Sequence, residues 1–392
     1  MKPHQNLKAN RLTRRSWLVL TASAAASSLT ACGGGGSITA GIPGTGGTGI
    51  YAQGSISGFG SVIMNSVKFD DTGATVMIDG VSANSLDLRL GMVAGITGER
   101  SADVTLGTAH SIEVWSIAQG VVTQVTANTS TNGEFTVAGM TVQTDVNTVF
   151  DGIVNASGLV QGQWVLVWGL QAGATDGLVW KASRVAVTTT LPSTALVSTG
   201  QVSVHDSQAS LNGLQLTGNG VASLVDGALV RVQGTLSLDG KTLTVISVKS
   251  LAVSAAEQAQ TEVEIEGVVT AVATTSFTMG GITVDTRNTT LAAIIAVGNR
   301  VEVVGKWVSG VLVATRVNVE DAAVLQSVEI TASVQNYISV ADFALRGQRC
   351  DATNATFSNG KASNLATKDV RVKVSGTKNG EFLTVTSVQF NP

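Results

Sequence analysis

Between Gly298 and Gly305 the chain reads G-N-R-V-E-V-V-G, valines alternating with charged side chains and a glycine at either end. A period of two predicts a strand with one face in a core and the other in water. The element recurs as G-Q-W-V-L-V-W-G from Gly162 and as G-A-L-V-R-V-Q-G from Gly227. A degenerate copy, G-M-V-A-G-I-T-G, starts at Gly91, and in D-V-R-V-K-V-S-G Asp369 stands in place of the first glycine. The closing glycines are Gly98, Gly169, Gly234, Gly305 and Gly376, spaced by 71, 65, 71 and 71 residues. So regular a period predicts five copies of one structural unit.

The flanks repeat too. Each unit opens with an apolar strand near Gly54, Gly120, Gly200, Gly267 or Ile330, and a second strand follows with a polar turn in it, as in F-T-V-A-G-M-T-V from Phe135. A short segment such as L-A-A-I-I-A-V before Gly298 is the one helical turn expected in its unit, and a last strand such as L-V-A-T-R-V from Leu312 closes it. Strand, strand, short strand, helical turn, strand, strand is the order of a small Greek-key barrel of OB type, which closes its own edges. An immunoglobulin-like sandwich needs about seven strands in about 100 residues, more than these units offer. The expected fold is therefore all-β, with five tandem OB-like barrels over 52–118, 119–190, 198–255, 262–321 and 326–392. Contacts between such small units should add to their stability.

The first unit reads G-S-I-S-G-F-G-S-V-I-M-N-S-V-K-F-D from Gly54 to Asp70, with L-R-L-G-M-V from Leu88. It resembles the bacterial exported family known as domain of unknown function 5666, often found in tandem behind lipobox signals. The likeness is strongest in this unit and extends through the weaker copies. Its motif is made of glycines and valines, so it implies a fold and carries over no functional residues.

Composition changes the picture mainly at the N-terminus. The formal charge is −3, but residues 1–31 hold five basic groups and no acidic one, which leaves 19 basic against 27 acidic groups, or −8, for the rest. An acidic body repels phosphate backbones, so nucleic acid is not an expected partner. The basic stretch runs into W-L-V-L-T-A-S-A-A-A-S-S-L, too short and too rich in Ala and Ser for a membrane span but laid out like a secretory signal. Within it T-R-R-S-W-L, with Arg14 and Arg15, resembles the twin-arginine export motif. The run ends in L-T-A-C, where Leu29 and Ala31 precede Cys32 as in a bacterial lipobox. That resemblance implies cleavage after Ala31 and acylation of Cys32, an anchor worth about 0.8 kcal/mol per buried methylene. Gly33 follows where many inner-membrane lipoproteins have aspartate, which implies the outer membrane. The glycine-rich residues 32–51 then read as a flexible tether behind the signal of residues 1–31.

Catalytic material is sparse. Cys350 is the one remaining thiol and reads as a small core residue, while His110 and His205 are isolated. Asp70, Asp71 and Asp79 bracket a turn but lack the alternating ligands and closing glutamate of a calcium loop, so they read as turn residues. Gly33–Gly36 neither follow a strand nor precede Lys-Ser/Thr, which excludes a phosphate loop. No catalytic residue, metal site or cofactor is expected. The repeated element does point to one surface. Aligned, it puts Val165 and Val167 with Val230 and Val232, Val301 and Val303, Val372 and Val374, all toward a core. The other parity holds Arg300, Glu302, Arg371 and Lys373, which should face water, but in the second unit it holds Trp164, Leu166 and Trp168. Trp180 replaces Leu312 and should be core. The outward Trp-Leu-Trp stripe reads as packing against a neighbouring unit or as a platform for a sugar or protein.

The expected function is that of an exported, lipid-anchored envelope protein at the outer membrane, facing the periplasm. Its barrels would form an elongated, non-catalytic structural or binding array, partnered by the membrane through Cys32 and by an envelope protein or glycan. A second reading is a glycan-binding module centred on Trp164, Leu166 and Trp168. A hydrolase hidden in irregular loops would need converging polar groups in a cleft.

Overall fold

Each repeated unit closes into a five-stranded barrel. The computed structural model describes residues 48–174, 177–188, 195–320 and 326–392. Arg14, Arg15, Leu29, Ala31 and Cys32 lie outside the described residues. In barrel 1 the principal strands are Thr48–Phe59, Val62–Met64, Val67–Asp70, Val93–Arg100 and Leu106–Val114. The first pairs antiparallel with the second and with the fourth, the third runs parallel to the fifth, and the fourth and fifth pair antiparallel. The spatial order 1-2-3-5-4-1 leaves no open end, which is the closure of an OB-type Greek key. Barrels 2, 3, 4 and 5 repeat it, beginning at Ala118, Leu196, Glu262 and Ser327.

The repeated motif has a local cause at each end. Its closing glycine marks a β-bulge where the fourth strand shifts register against the fifth, at Gly98, Gly169, Gly234, Gly305 and Gly376. A Cβ at any of these would collide with a backbone carbonyl oxygen of the fifth strand, that of Thr108, Lys181, Thr244, Val313 or Thr384. The bulge bends the strand around a narrow barrel, and only glycine lets the two backbones approach so closely. The opening position has positive φ in every copy, +80°, +91°, +76° and +89° at Gly91, Gly162, Gly227 and Gly298, and +58° at Asp369. Aspartate tolerates this left-handed region better than most side chains, which accounts for the one departure from glycine.

Between those ends the alternate valines fill the barrels as the pattern predicts, with Val165, Val167, Val232, Val301, Val303, Val372 and Val374 fully buried. Two local expectations change. The first strand begins at Thr48, inside the segment read as tether, because Ile50 and Ala52 already belong to the core. Leu291–Val297 forms no helical turn, although barrels 1, 2, 3 and 5 each carry a short 3₁₀ turn at that place. Ile294 there is 91% exposed, so no packed face offsets the cost of nucleating a helix.

The barrels do not form an elongated series. The first strand of barrel 1 pairs in parallel with the first strand of barrel 4, Ile50 opposite Glu262 through Gln53 opposite Ile265, and further on with that of barrel 5. These pairings occupy a strand edge that the long first strand leaves free within its own barrel. Barrel 2 meets barrel 5 through Glu381 N–H to the Val154 carbonyl (2.8 Å) and barrel 1 through Ser183 Oγ–H to the Gly91 carbonyl (2.6 Å). Barrels 1 and 5 share one contiguous apolar cluster. The stabilising contacts between units exist, and they join barrels distant in sequence as well as neighbours: Val197 of barrel 3 pairs with Gln119 of barrel 2, and those two barrels share an apolar cluster.

Candidate functional site

Barrels 1 to 4 converge on a cavity of about 420 Å³, within the range of small-molecule sites, about 300–1,000 Å³. Barrel 1 supplies Tyr51, Gln53 and Trp115, barrel 2 Gln171 and Trp180, barrel 3 Arg231 and Lys249, barrel 4 Ile265 and Met279. The connector between barrels 3 and 4 forms part of the wall with residues 250–254 and Glu257. A capping box orders that connector: Ser254 N–H donates to Glu257 Oε2 (2.6 Å) and Glu257 N–H to Ser254 Oγ (3.3 Å).

The charges around the cavity are paired. Arg231 is buried and donates from Nη2 to Asp79 Oδ1 (2.8 Å) and from Nε to the Ser116 carbonyl (2.7 Å). Burial pulls its pKa down and Asp79 opposes that. Lys249 Nζ lies 3.4 Å from Glu113 Oε2 and 4.2 Å above the Trp115 ring, which also takes Arg231 at 5.2 Å. Glu266, on the barrel 4 side, is held by Arg300 and by Ser55 N–H (2.7 Å), and these partners keep its carboxylate below the usual range despite burial. Tyr51 donates to Gln53 Oε1 (3.2 Å), and burial, with Glu257 and Glu113 nearby, raises its phenol far above its ordinary value. It stays a neutral donor. Behind the lining, shut off from the cavity, Trp180 Nε1 and Gln171 Oε1 are buried without a hydrogen-bond partner.

A second polar cluster lies where barrels 1 and 4 share their ladder. Arg100 pairs with Glu262 (2.5 Å) and Glu264, while Arg316 pairs with Glu302 (2.7 Å). Glu264 is fully buried, and desolvation with the neighbouring Glu302 carboxylate pushes it up to about 8 despite Arg100. Its Oε1 finds no donor, as suits a carboxyl that carries its own proton. Glu302 is also raised, and desolvation with Glu302 and Glu266 nearby lifts Glu320 to about 7. Arg300 and Glu302, expected to face water, face barrel 1 instead. The sign of the pH effect follows. An unfolded carboxyl releases its proton near 4.5, whereas the folded protein keeps the Glu264 proton to about 8. The folded state therefore binds more protons between those values, and stability falls as pH rises through that window. Below it the carboxylates held low, Glu266 and Glu329, act in the opposite direction. The urea midpoint is expected to be higher at pH 5.5 than at pH 8.5, and Glu264→Gln should flatten that slope.

Leu166 and Trp168 of the Trp stripe point out of barrel 2, as their parity requires, but onto neighbours. Trp168 is 4% exposed within the cluster that fills barrels 1 and 5, and Leu166 packs against the same cluster. Burying such side chains is worth about 2–3 kcal/mol each, and no open stacking face remains at Trp168. Trp180 is buried with the barrel 2 core residues and also reaches the cavity. Asp70 caps its own turn, accepting from Thr72 N–H (3.0 Å). Asp79 does more than the turn reading allows, since it accepts from Ser116 N–H (2.8 Å) and pairs with Arg231 across barrels. Cys350 is a core residue of barrel 5, where burial pushes its thiol far up. Trp115, Gln171 and Lys249 escape sequence reasoning because they come from three different repeats and share no motif, while Arg231 stands at an outward position of the repeated element with nothing local to point to its partner. Only the position of Trp115, just past a last strand, marks it as a junction residue.

Two barrels match a known family. The model described as domain of unknown function (DUF5666) matches residues 119–186 and 266–318, which lie in barrels 2 and 4. This supports the family resemblance in barrels 2 and 4, whereas residues 54–70 of barrel 1, where the likeness is expected to be strongest, lie outside the matched segments. No curated protein matches the chain. A solved structure, Drosophila Unr CSD456, covers 53% of this chain and 98% of its own at 15% identity, with a TM-score of 0.13. The barrel assignment rests on the strand pairing itself.

Proposed function

We propose that this protein is an exported, lipid-anchored envelope protein whose five barrels form a non-catalytic binding body. The observation that carries the binding reading is the cavity at the convergence of four barrels, with its apolar walls and paired charges. Sites of this kind are largely preformed and mix apolar walls with a few directed polar groups. Export by a twin-arginine signal and anchoring through Cys32 rest on the leader sequence, and they place the body in the periplasm at the outer membrane. The non-catalytic reading draws on the burial of Cys350, which keeps its thiol from acting as a nucleophile. A glycan platform on Trp164, Leu166 and Trp168 is less favoured, because Trp168 is covered.

The anchoring half has a direct test. Cells fed a palmitate analogue should label the wild-type protein, and Cys32→Ala should lose the label and move from the membrane to the soluble fraction. Label retained on the Cys32→Ala protein would contradict the anchor.

A further inference from the structure

We propose that the loop of residues 291–297 in barrel 4 is a second membrane contact, dipping into the bilayer interface beside the lipid anchor. This contact rests on the anchored reading above and adds a protein surface to it.

The loop leads into the fourth strand of barrel 4 and reads L-A-A-I-I-A-V. Ile295 packs against the barrel 4 core and roots it. Ile294 beside it is 91% exposed, Val297 57% and Leu291 39%. Single exposed apolar side chains are ordinary, but three on one short loop make a patch. The other barrels show that the fold does not require it. Counted back from the opening glycine of the repeated element, Ile294 takes the place of Asp87, Gly158 and Ser223 in barrels 1 to 3. Leu291 takes that of Asn84, Asn155 and Gly220. The rooting position holds Leu88 and Leu159 in barrels 1 and 2, both buried as core residues. Barrel 4 therefore keeps the root of the turn and exchanges its polar surface for an apolar one.

Charge favours a lipid surface as the partner. From residue 267 to residue 299 the only ionisable side chains are Asp285 and Arg287, which pair with each other at 2.6 Å. The chain beyond residue 31 carries −8, so a leaflet containing anionic lipid repels the body as a whole. This uncharged face approaches without that repulsion. An apolar loop can enter the boundary between headgroups and acyl chains, where the strength of contact scales with the apolar area buried. The position of the loop fits as well. At its foot Gly298 N–H donates to the Val269 carbonyl (2.9 Å) and Val269 N–H to that of Asn299 (2.8 Å). Val269 lies seven residues along the first strand of barrel 4 from Glu262, which stands opposite Ile50, a distance of about 23 Å. Cys32 precedes Thr48 by 16 residues, a reach of up to about 55 Å at full extension. Anchor and loop can therefore engage one surface together, and the tether raises the effective concentration of the loop there.

The test places an environment-sensitive dye on the full-length chain. Cys32→Ala removes the anchor thiol, and Cys350 is buried, so the dye attaches to one introduced thiol. Ile294→Cys and Val297→Cys put it on the loop, and Leu238→Cys puts it on an exposed apolar residue of barrel 3 that precedes Asp239. With saturating vesicles of phosphatidylethanolamine and phosphatidylglycerol, emission from either loop position should shift to the blue and rise about threefold as the dye leaves water. The dye at position 238 should not respond, although all three proteins carry the same leader. No shift at either loop position, or an equal shift at position 238, would overturn the loop contact. A shift that needs no vesicles and grows with protein concentration would assign the patch to a second copy of the chain and overturn it too. Both loop side chains are exposed, so neither substitution disturbs the core, and each tests the contact without the other. The palmitate label on the wild-type protein reads the anchor separately. Its absence together with a shift on the loop would overturn the anchor and support the loop contact.

Discussion

Gly305→Val should destabilise the protein by more than about 3 kcal/mol, enough to move the urea midpoint well outside experimental scatter. Gly305 sits at the register shift between the fourth and fifth strands of barrel 4. Its missing Cβ leaves room for the carbonyl of Val313 and the Cα of Ala314, both backbone atoms of a paired strand. Neither can swing aside as a side chain would, so the substitution must open the ladder or undo the bulge that curves the barrel. Gly310 makes the control. It has φ +82° but nothing within 4 Å of a Cβ, so Gly310→Ala should cost only about 1 kcal/mol for the left-handed backbone. Equal losses at the two positions would mean that close approach is not what selects the closing glycine of the repeat.

Asp79→Asn should cost about 2–4 kcal/mol, although it preserves the turn. Asn adopts the φ of +51° found there as readily as Asp does. What it removes is the counter-charge of Arg231, a guanidinium 3% exposed that joins barrel 3 to barrel 1. Breaking a buried pair from one side leaves the other charge desolvated, a far larger penalty than any exposed pair incurs. Asp70→Asn, a change at a true turn aspartate on the surface, should cost no more than about 0.5 kcal/mol. Urea denaturation of the two variants side by side separates the interface role from the turn role.

The contrast between Asp70 and Asp79 shows what the sequence made legible. Local rules act over a few residues, and they carried the fold. Valine alternation set the core faces, the fixed spacing of Gly98 through Gly376 counted the barrels, and element order gave the closure. Asp70 obeys the same local logic. Asp79 does not, because its partner lies 152 residues away, and no period in the chain encodes that pairing. The outward parity of the repeated element holds at Trp168 and at Glu302, yet both are buried by another barrel. Facing away from one's own core is a local property, whereas facing water depends on how whole barrels dock. Tandem repetition suggested a row, but the free edge of the first strand of barrel 1 pairs with barrels 4 and 5 instead. The cavity is a product of that docking, so its lining could not be assembled from any single repeat.

Small-angle X-ray scattering of the body without its leader tests that docking most directly. If the 345 residues from Thr48 to Pro392 fold back into one body around a shared cavity, the radius of gyration should be about 20 Å, as expected for a compact chain of that length. A value well above about 30 Å, with the profile of separate beads on a string, would mean that the barrels do not converge. The cavity, and the binding function built on it, would then fall together.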